Sequence, residues 1–401
     1  MWRSMGVLAA CAALLVPAVS ACGGGGSGSG EDKIVFGFVG ALTGPLSSSG
    51  IAARAGAEVA VDKANQAGGQ GGPKVELIVR DTGGDATKAV AATRELAQKG
   101  VQAIYFTTES MPAVQDVLNQ SKILGLGPGT GPILAKLGES KTYKWGFSVG
   151  DNDGDPAVQP LVDYASKHAT GGIVGQLNEA SAYGKAQVEI TKSLVSRSYP
   201  NIRLVNSDFP TGATSVTRQL NGLRSQGANA LIAWTYGAGL VQTMKSVGES
   251  GYKGVLVGPK AMGDPAVIAA APKEVLAKSV GGPLPKTFLA DGDGQAPSGA
   301  AGEFVQGYKA KRGKQTFSAL DQVGAYGFDA VTLVRTAADK AGSTDPAEIK
   351  KVLMSGQRFA GAQGNYVYGP DKRLGLSPDQ LGLFQPSFPC DAGTCRQAAV
   401  G

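Results

Sequence analysis

Short apolar runs alternate with amphipathic segments along most of the chain. In the first part, four runs rich in β-branched and aromatic residues predict buried strands bounded by Gly or Pro, at 34–40, 75–81, 101–106 and 123–127. Two helical patterns lie between the first three runs. One places Ile51, Ala55 and Val59 on a single stripe, and the other begins with Asp85 as its N-cap and ends at Gly100. This strand–helix–strand repeat predicts right-handed crossovers and a parallel sheet.

The same alternation restarts after residue 150. Apolar runs at 171–177, 202–209, 230–236 and 254–259 alternate with helical patterns near 183–197, 214–226 and 238–249. Beyond 280, the pattern predicts one or two long helices and a Gly-rich end. The sequence therefore predicts an α/β protein built from two doubly wound parallel-sheet units in series.

The first 32 residues follow a different pattern. A positively charged start precedes an apolar run from Gly6 to Ala18, which is about a dozen residues against the roughly 20 that span a bilayer. Small residues, Cys22 and a Gly/Ser tract come next. These features indicate an export signal over 1–21 rather than a membrane helix. An ordinary secretory signal cut near Ala21 is one interpretation of this end of the chain.

The other interpretation is a lipoprotein signal, since Val19–Cys22 resembles the bacterial lipoprotein box. Cleavage would leave Cys22 as a lipid-carrying N-terminus and 22–32 as a flexible tether, and two or more acyl chains would hold the protein at the outer face of the cell membrane. Since Cys11 would leave with the signal, Cys390 and Cys395 remain as a pair. Outside the cytoplasm such a pair predicts a small disulfide loop, with free thiols as the alternative.

Composition excludes several function classes. Removing 21 of 401 residues leaves 380. A chain of this length is usually too long to fold around a single hydrophobic core, so two lobes are expected. The net charge of +6 is spread out, and no nucleic-acid module is present, so no nucleic-acid partner is expected. The chain has one histidine and no nucleophile elbow, P-loop or zinc-protease motif, so we expect no enzyme, cofactor or metal site. The Asp-rich segments 151–156 and 291–295 lack the Gly and Glu of calcium loops and predict solvated turns.

The segments that follow the predicted strands are rich in Ser, Thr, Gly and Tyr and poor in acid–base groups. Ligands of parallel α/β sheets bind beyond the carboxyl ends of the strands, where amide N–H groups at helix starts suit a carboxylate or another anion. Some of these Ser and Thr residues serve as helix N-caps instead. This chemistry predicts a site that holds a small molecule without transforming it.

Two long stretches carry a family resemblance. The segments "IVFGFVGALTGPLSSSGIAARAGAEVAVDKANQAGG" and "VELIVRDTGGDATKAVAATRELAQKGVQAI" closely resemble the branched-chain amino-acid (Leu/Ile/Val-type) binding proteins, which are solute-binding components of bacterial ABC importers. The match continues through 179–186, 257–264 and 325–353 and covers most of 33–385. It implies a type I periplasmic binding protein fold, in which two flavodoxin-like lobes joined by three crossover segments close on a ligand.

The resemblance also implies boundaries and partners. We expect lobe 1 to comprise 33–147 and 283–357, and lobe 2 to comprise 148–282 and 358–401. The expected partners of a monomeric chain are an amino-acid-like ligand or small carboxylate and the ABC permease subunits. A sensor that reports to a signalling partner is an alternative that the chain does not distinguish. An enzyme sharing this sheet architecture is disfavoured because no reactive constellation is present.

The family's ligand-binding positions carry over to individual residues, namely Ser49 at the pocket mouth, Thr107 with Thr108 as a near alternative, Gly129 and Thr130 in the loop after the fourth strand, Tyr183, Tyr236 and Lys260. The loop that contains Gly129 and Thr130 is one residue shorter here than is usual in the family. Ser49 stands where amino-acid binders often carry an aromatic residue.

Lys260 is the sharpest departure from the family pattern. It occupies the place of the glutamate that pairs with the ligand's ammonium in amino-acid binders, although a shift of register would bring Asp264 there instead. One charge pair at 4 Å is worth about 4 kcal/mol at an effective dielectric near 20, against about 0.8 kcal/mol for a buried methylene. Our hypothesis is a ligand that lacks a free α-ammonium and carries an extra anionic or polar acceptor group. A carboxylic acid, an aromatic acid and an amide-like compound are the candidates.

Overall fold

The computed structural model describes residues 33–44, 47–66, 72–128, 143–151 and 154–399. The predicted signal and tether, with the lipidation candidate Cys22, lie outside this range, as do Gly129 and Thr130. The described chain forms two larger sheets, each with its own helices and apolar core. This arrangement confirms the predicted α/β fold with two parallel-sheet units.

The first sheet has five parallel strands in the order β2-β1-β3-β4-β5. They are β1 (Lys33–Gly40), β2 (Lys74–Asp81), β3 (Ala103–Phe106), β4 (Leu124–Gly127) and β5 (Gly146–Ser148), with helices α1 (Ser47–Gln66), α2 (Ala86–Gln98) and α3 (Gln115–Ser121). The four predicted strands are confirmed to within two residues. The predicted N-cap is confirmed as well, because the Asp85 carboxylate accepts a 2.9 Å hydrogen bond from the Lys88 amide.

In the part of the chain that the structure describes, the second sheet has six strands in the order β14-β10-β9-β8-β6-β7, and only β14 runs antiparallel to its neighbour. The strands are β6 (Ile173–Glu179), β7 (Arg203–Phe209), β8 (Ala230–Trp234), β9 (Val255–Pro259), β10 (Ser279–Pro285) and β14 (Leu381–Phe384). Its helices are α4 (Gly154–His168), α5 (Ala182–Ser198), α6 (Thr217–Ser225), α7 (Gly237–Glu249), α8 (Pro265–Ala270) and α9 (Lys273–Leu276).

After β10, the chain returns to the first core and then ends against the second core. It contributes β11 (Leu289–Ala290), α10 (Gly299–Arg312), α11 (Gly324–Ala341), α12 (Pro346–Leu353), the hairpin β12 (Arg358–Gly361) and β13 (Gly364–Val367), and β15 (Cys395–Arg396). The predicted disulfide between Cys390 and Cys395 is present, with an S–S distance of 2.06 Å. Within the described ranges, no helix combines the length and apolar character needed to cross a membrane.

The lobe boundaries stay predictions. All of β10 through Pro285 pairs within the second sheet, although the predicted boundary divides this strand at 282/283. Phe359 and Tyr366 of the hairpin pack in the core of the first sheet, beyond the predicted boundary at 357/358. The packing therefore favours later positions for both of these crossings.

Small residues let α1 and α11 approach closely beside the first sheet. A Cβ atom added to Gly56 would lie 1.8 Å from the carbonyl oxygen of Gly324, and one added to Gly327 would lie 1.9 Å from that of Ala53. Since real Cβ atoms do not come so close to backbone oxygen, both contacts require glycine. This pairing fixes the N-terminal part of α11, which supplies polar groups to the candidate site.

Candidate functional site

Several of the predicted site residues follow the carboxyl ends of strands, where parallel sheets bind ligands. Thr107 follows β3 of the first sheet, whereas Tyr236 and Lys260 follow β8 and β9 of the second. Tyr183 lies in the first turn of α5, just after β6. The parallel topology therefore places the candidate site at these two strand edges.

Lys260 lies at the centre of a buried polar cluster. Its Nζ donates to the Asp151 carboxylate, to the Tyr326 hydroxyl at 2.6 Å and to Gln322 Oε1 at 3.0 Å. Only 4% of the Lys260 side chain is exposed, and none of that of Asp151. Lys260 comes from the second sheet, whereas Gln322 and Tyr326 flank the start of α11 on the first core. The cluster therefore joins the two halves of the protein.

Asp151 corrects one sequence expectation. The segment 151–156 was expected to form a solvated turn, but Asp151 is buried in the first crossing between the sheets, just after β5. Its Oδ1 accepts from both Lys260 and the hydroxyl of Tyr326, the latter at 2.5 Å. Its Oδ2 is buried without a hydrogen-bond partner among the described residues. The Asp151 charge therefore depends on Lys260 for its compensation.

The polar cluster continues beneath Lys260 into the first core. Gln322 donates to Gln363 Oε1 at 3.0 Å, and Gln363 donates in turn to the Asp329 carboxylate at 3.0 Å. Asp329 also accepts from the Tyr366 hydroxyl at 2.7 Å and from the amides of 362 and 363. Burial raises the pKa of Asp329 to about 6, against the lowering effect of these hydrogen bonds. This network holds Gln322 in place, so the acceptors around Lys260 are fixed before any ligand arrives.

An aromatic pair forms another part of the second sheet's edge. The rings of Tyr183 and Tyr236 lie 4.5 Å apart, and Trp234 packs edge-on against Tyr183 at 6.4 Å. Burial, and next the neighbouring Tyr236 hydroxyl, raises the pKa of Tyr183 well above the usual value for tyrosine. Although 38% of Tyr236 is exposed, its hydroxyl lies among protein atoms, and this burial raises its pKa as well. Both phenols stay neutral and offer apolar faces with polar tips.

The first sheet's edge is more polar. Thr107 is buried, and its hydroxyl accepts a 3.2 Å hydrogen bond from the Ala41 amide and donates to the Glu109 carboxylate. Thr108 is half-buried in the following turn, and Ser49 is exposed in the first turn of α1. Neither Thr107 nor Ser49 shares a hydrogen bond with the tyrosine pair among the described residues.

Residues 41–44, which follow β1, are held by the Asp81 carboxylate at the end of β2. The Asp81 carboxylate accepts from the amides of Leu42 and Gly83 at 2.8 Å each and from the Thr43 hydroxyl at 2.7 Å. These bonds, led by that from Gly83, lower the pKa of Asp81 to about 2. The Asp81 carboxylate therefore stays charged at neutral pH and keeps its hydrogen bonds to Leu42 and Thr43.

Sequence reasoning found the strand ends but missed Asp151, Gln322 and Tyr326. Tyr326 and Gln322 belong to the segment that precedes the predicted long helix, and nothing in their spacing marks them as partners of Lys260. The one available signal was Lys260 itself, because a buried lysine requires a carboxylate partner nearby. Asp264, the alternative in the alignment, caps α8 by accepting from the Ala266 amide at 2.8 Å.

Known proteins match nearly the whole described chain. A family model described as periplasmic binding protein matches residues 33–376. The Leu/Ile/Val-binding protein homolog 3 of Brucella melitensis is 26% identical over 342 residues, covering 84% of this chain and 87% of that protein. The leucine-, isoleucine-, valine-, threonine- and alanine-binding protein of Pseudomonas aeruginosa is 24% identical, covering 80% of this chain and 82% of that protein.

Solved structures agree on the fold. A type 1 periplasmic binding protein from Bordetella pertussis has a TM-score of 0.71 at 22% identity, covering 88% of this chain and 96% of that one. The substrate-binding protein LivJ of Streptococcus pneumoniae, in complex with isoleucine, has a TM-score of 0.68 at 21% identity, covering 92% of this chain and all of that one. On its fold and on the match over 33–376, this chain belongs to the periplasmic binding protein family, in the group that includes the Leu/Ile/Val-binding proteins.

Proposed function

We propose that this protein is an extracytoplasmic, lipid-anchored solute-binding protein that captures a small molecule between its two lobes and delivers it to an ABC importer. The observation that carries the proposal is the contact between the halves, in which Lys260 of the second sheet reaches Gln322 and Tyr326 of the first core. A ligand that touches both edges would stabilise the closed form over the open one by its differential affinity. The strand edges supply hydroxyls and aromatic faces for that contact.

The ligand of this proposal is a small molecule without a free α-ammonium. Asp151 is the buried acid beside Lys260, and it is already paired with the lysine. A ligand ammonium would have to compete with Lys260 for that carboxylate. The rings of Tyr183 and Tyr236 favour an apolar or aromatic body, and their neutral hydroxyls can donate to a ligand oxygen. A carboxylic acid, an aromatic acid or an amide-like compound has both features.

Calorimetric titration tests the ligand class. We expect leucine, isoleucine and valine to bind about 1000-fold more weakly than a ligand without the α-ammonium. Their ammonium would lack a carboxylate partner, and one such charge pair is worth about 4 kcal/mol. Their 2-hydroxy acids and amides, aromatic acids and small carboxylates form the comparison set, after a thermal-shift screen and mass spectrometry of copurifying compounds. Micromolar binding of any of the three amino acids would show that the assignment of the ligand class is wrong.

A second test concerns the anchor. With Cys22→Ser, we expect the exported protein to move from the membrane fraction to the soluble fraction, because the acyl chains that hold it would no longer attach. Incorporation of radiolabelled palmitate should disappear in the same variant. The matched control is Cys11→Ser, which lies inside the predicted signal and should leave both readouts unchanged. Palmitate incorporation into Cys22→Ser at the wild-type level would contradict the lipid anchor.

A further inference from the structure

The groups around Lys260 have the composition of an ammonium-binding site. Three described acceptors converge on Nζ, namely a carboxylate, a phenol oxygen and an amide oxygen, from Asp151, Tyr326 and Gln322. They come from two separate segments of the chain, Asp151 from one and Gln322 with Tyr326 from the other. The amino group also lies 5.1 Å from the centre of the Tyr326 ring. A negative charge, neutral oxygens and an aromatic face are what a primary ammonium requires when it leaves water.

The acceptors are held independently of the lysine. Gln322 is fixed from below by its hydrogen bond to Gln363, and α11, which carries Tyr326, is fixed by its close contact with α1 at Gly56. Asp151 lies in the crossing after β5, and its Oδ1 also accepts a 2.5 Å hydrogen bond from the Tyr326 hydroxyl. The site is therefore preorganised in the first core and the crossing, and only its cation comes from the second sheet.

We infer that Asp151, Gln322 and Tyr326 form a binding site for a primary ammonium, which the protein fills with its own Lys260. The lysine acts as a built-in cation that excludes ammonium-bearing solutes from this position. A chain that lacked the lysine side chain would bind a small primary amine there. The inference deepens the proposed function, because it names the structural reason for the ligand class.

A complementation experiment tests this site. The change Lys260→Ala removes three methylenes and the amino group, and n-propylammonium supplies a group of the same length and charge. We expect the variant to lose about 6–20 °C in Tm through its uncompensated carboxylate. Propylammonium chloride at ten times its dissociation constant should then raise the Tm by about 3–6 °C. The wild-type protein should not respond beyond the effect of equal sodium chloride.

Two comparisons make the readout specific. Lys260→Met fills the same space without charge, so it should not respond to the amine. 1-Propanol has the size of propylammonium without its charge, and tetramethylammonium has the charge. Both lack N–H donors, so neither should stabilise Lys260→Ala. If either works as well as propylammonium, or if the amine gives no shift up to 100 mM, the inference is overturned.

Folding and function are separated in the design. If Lys260→Ala is not recovered as a folded protein, the same additives are compared by the yield of refolding from urea, and the same ranking decides. No transported solute is needed for either readout. Failure of the amine to stabilise the variant would therefore leave the solute-binding proposal standing, and failure of solute binding would leave the ammonium site standing.

Discussion

Asp151→Ala is expected to lower the free energy of unfolding by about 3–5 kcal/mol, because it leaves the ammonium of Lys260 buried without its counter-charge. For a lobe of about 150–250 residues this corresponds to a fall in Tm of about 6–20 °C. Removing both charges should cost less than removing one. The double change Asp151→Ala with Lys260→Met is therefore expected to recover most of the lost stability.

Urea denaturation of the purified chain measures these differences. Asp155→Ala is the matched control, since Asp155 lies in α4 only four positions from Asp151. Asp155 forms an ion pair with Arg197, and 44% of the Asp155 side chain and 56% of the Arg197 side chain are exposed. Such a surface pair is worth about 0–1 kcal/mol. If Asp151→Ala matched Asp155→Ala in stability, or if the double variant were less stable than Asp151→Ala, the pair would not be the buried ion pair described above.

The periodic part of the fold was accessible from sequence. The runs at 34–40 and 101–106 became β1 and β3 because strands buried on both faces need continuous apolar residues, and such runs are visible without a structure. β10 was missed for the opposite reason. Its sequence SVGGPLP has the Gly and Pro of a turn, yet every residue is buried between β9 and β14. Tertiary pairing here outweighs local propensity.

Only those site residues that follow the ends of strands could be predicted from the sequence. Placement after strand ends located Tyr236 and Lys260 correctly on the second sheet, because parallel strands bring their carboxyl ends to one edge. The partners of Lys260 could not be found in this way. Asp151 is 109 positions away and Tyr326 is 66 positions away, and no local pattern encodes such distances. The lysine alone therefore suggested a ligand anion where the fold provides an internal carboxylate.

Gly56→Ala should be a severely destabilising methyl addition in the first core. Its Cβ would lie 1.8 Å from the carbonyl oxygen of Gly324, a backbone atom that no side-chain rotation can move away. Relief requires α1 and α11 to separate, which opens the packing of a shared core. We expect a loss of at least about 3 kcal/mol, at the upper end of the usual cost of overpacking. Thermal unfolding, measured by circular dichroism, gives the comparison with the wild-type protein.

Gly222→Ala is the matched control, because the same substitution in α6 meets no atom within 4 Å. There the added methyl only restricts the unfolded chain and improves helix propensity. The free energy of unfolding should therefore rise by about 0.5–1 kcal/mol, and the Tm should stay level or rise. The opposite signs of the two changes isolate the contact between α1 and α11 from the general preference of helices for alanine. Because α11 begins beside Tyr326, Gly56→Ala should also weaken the hold of the first core on Lys260. An unchanged Tm for Gly56→Ala would mean that the two helices do not pack as closely as the structure shows.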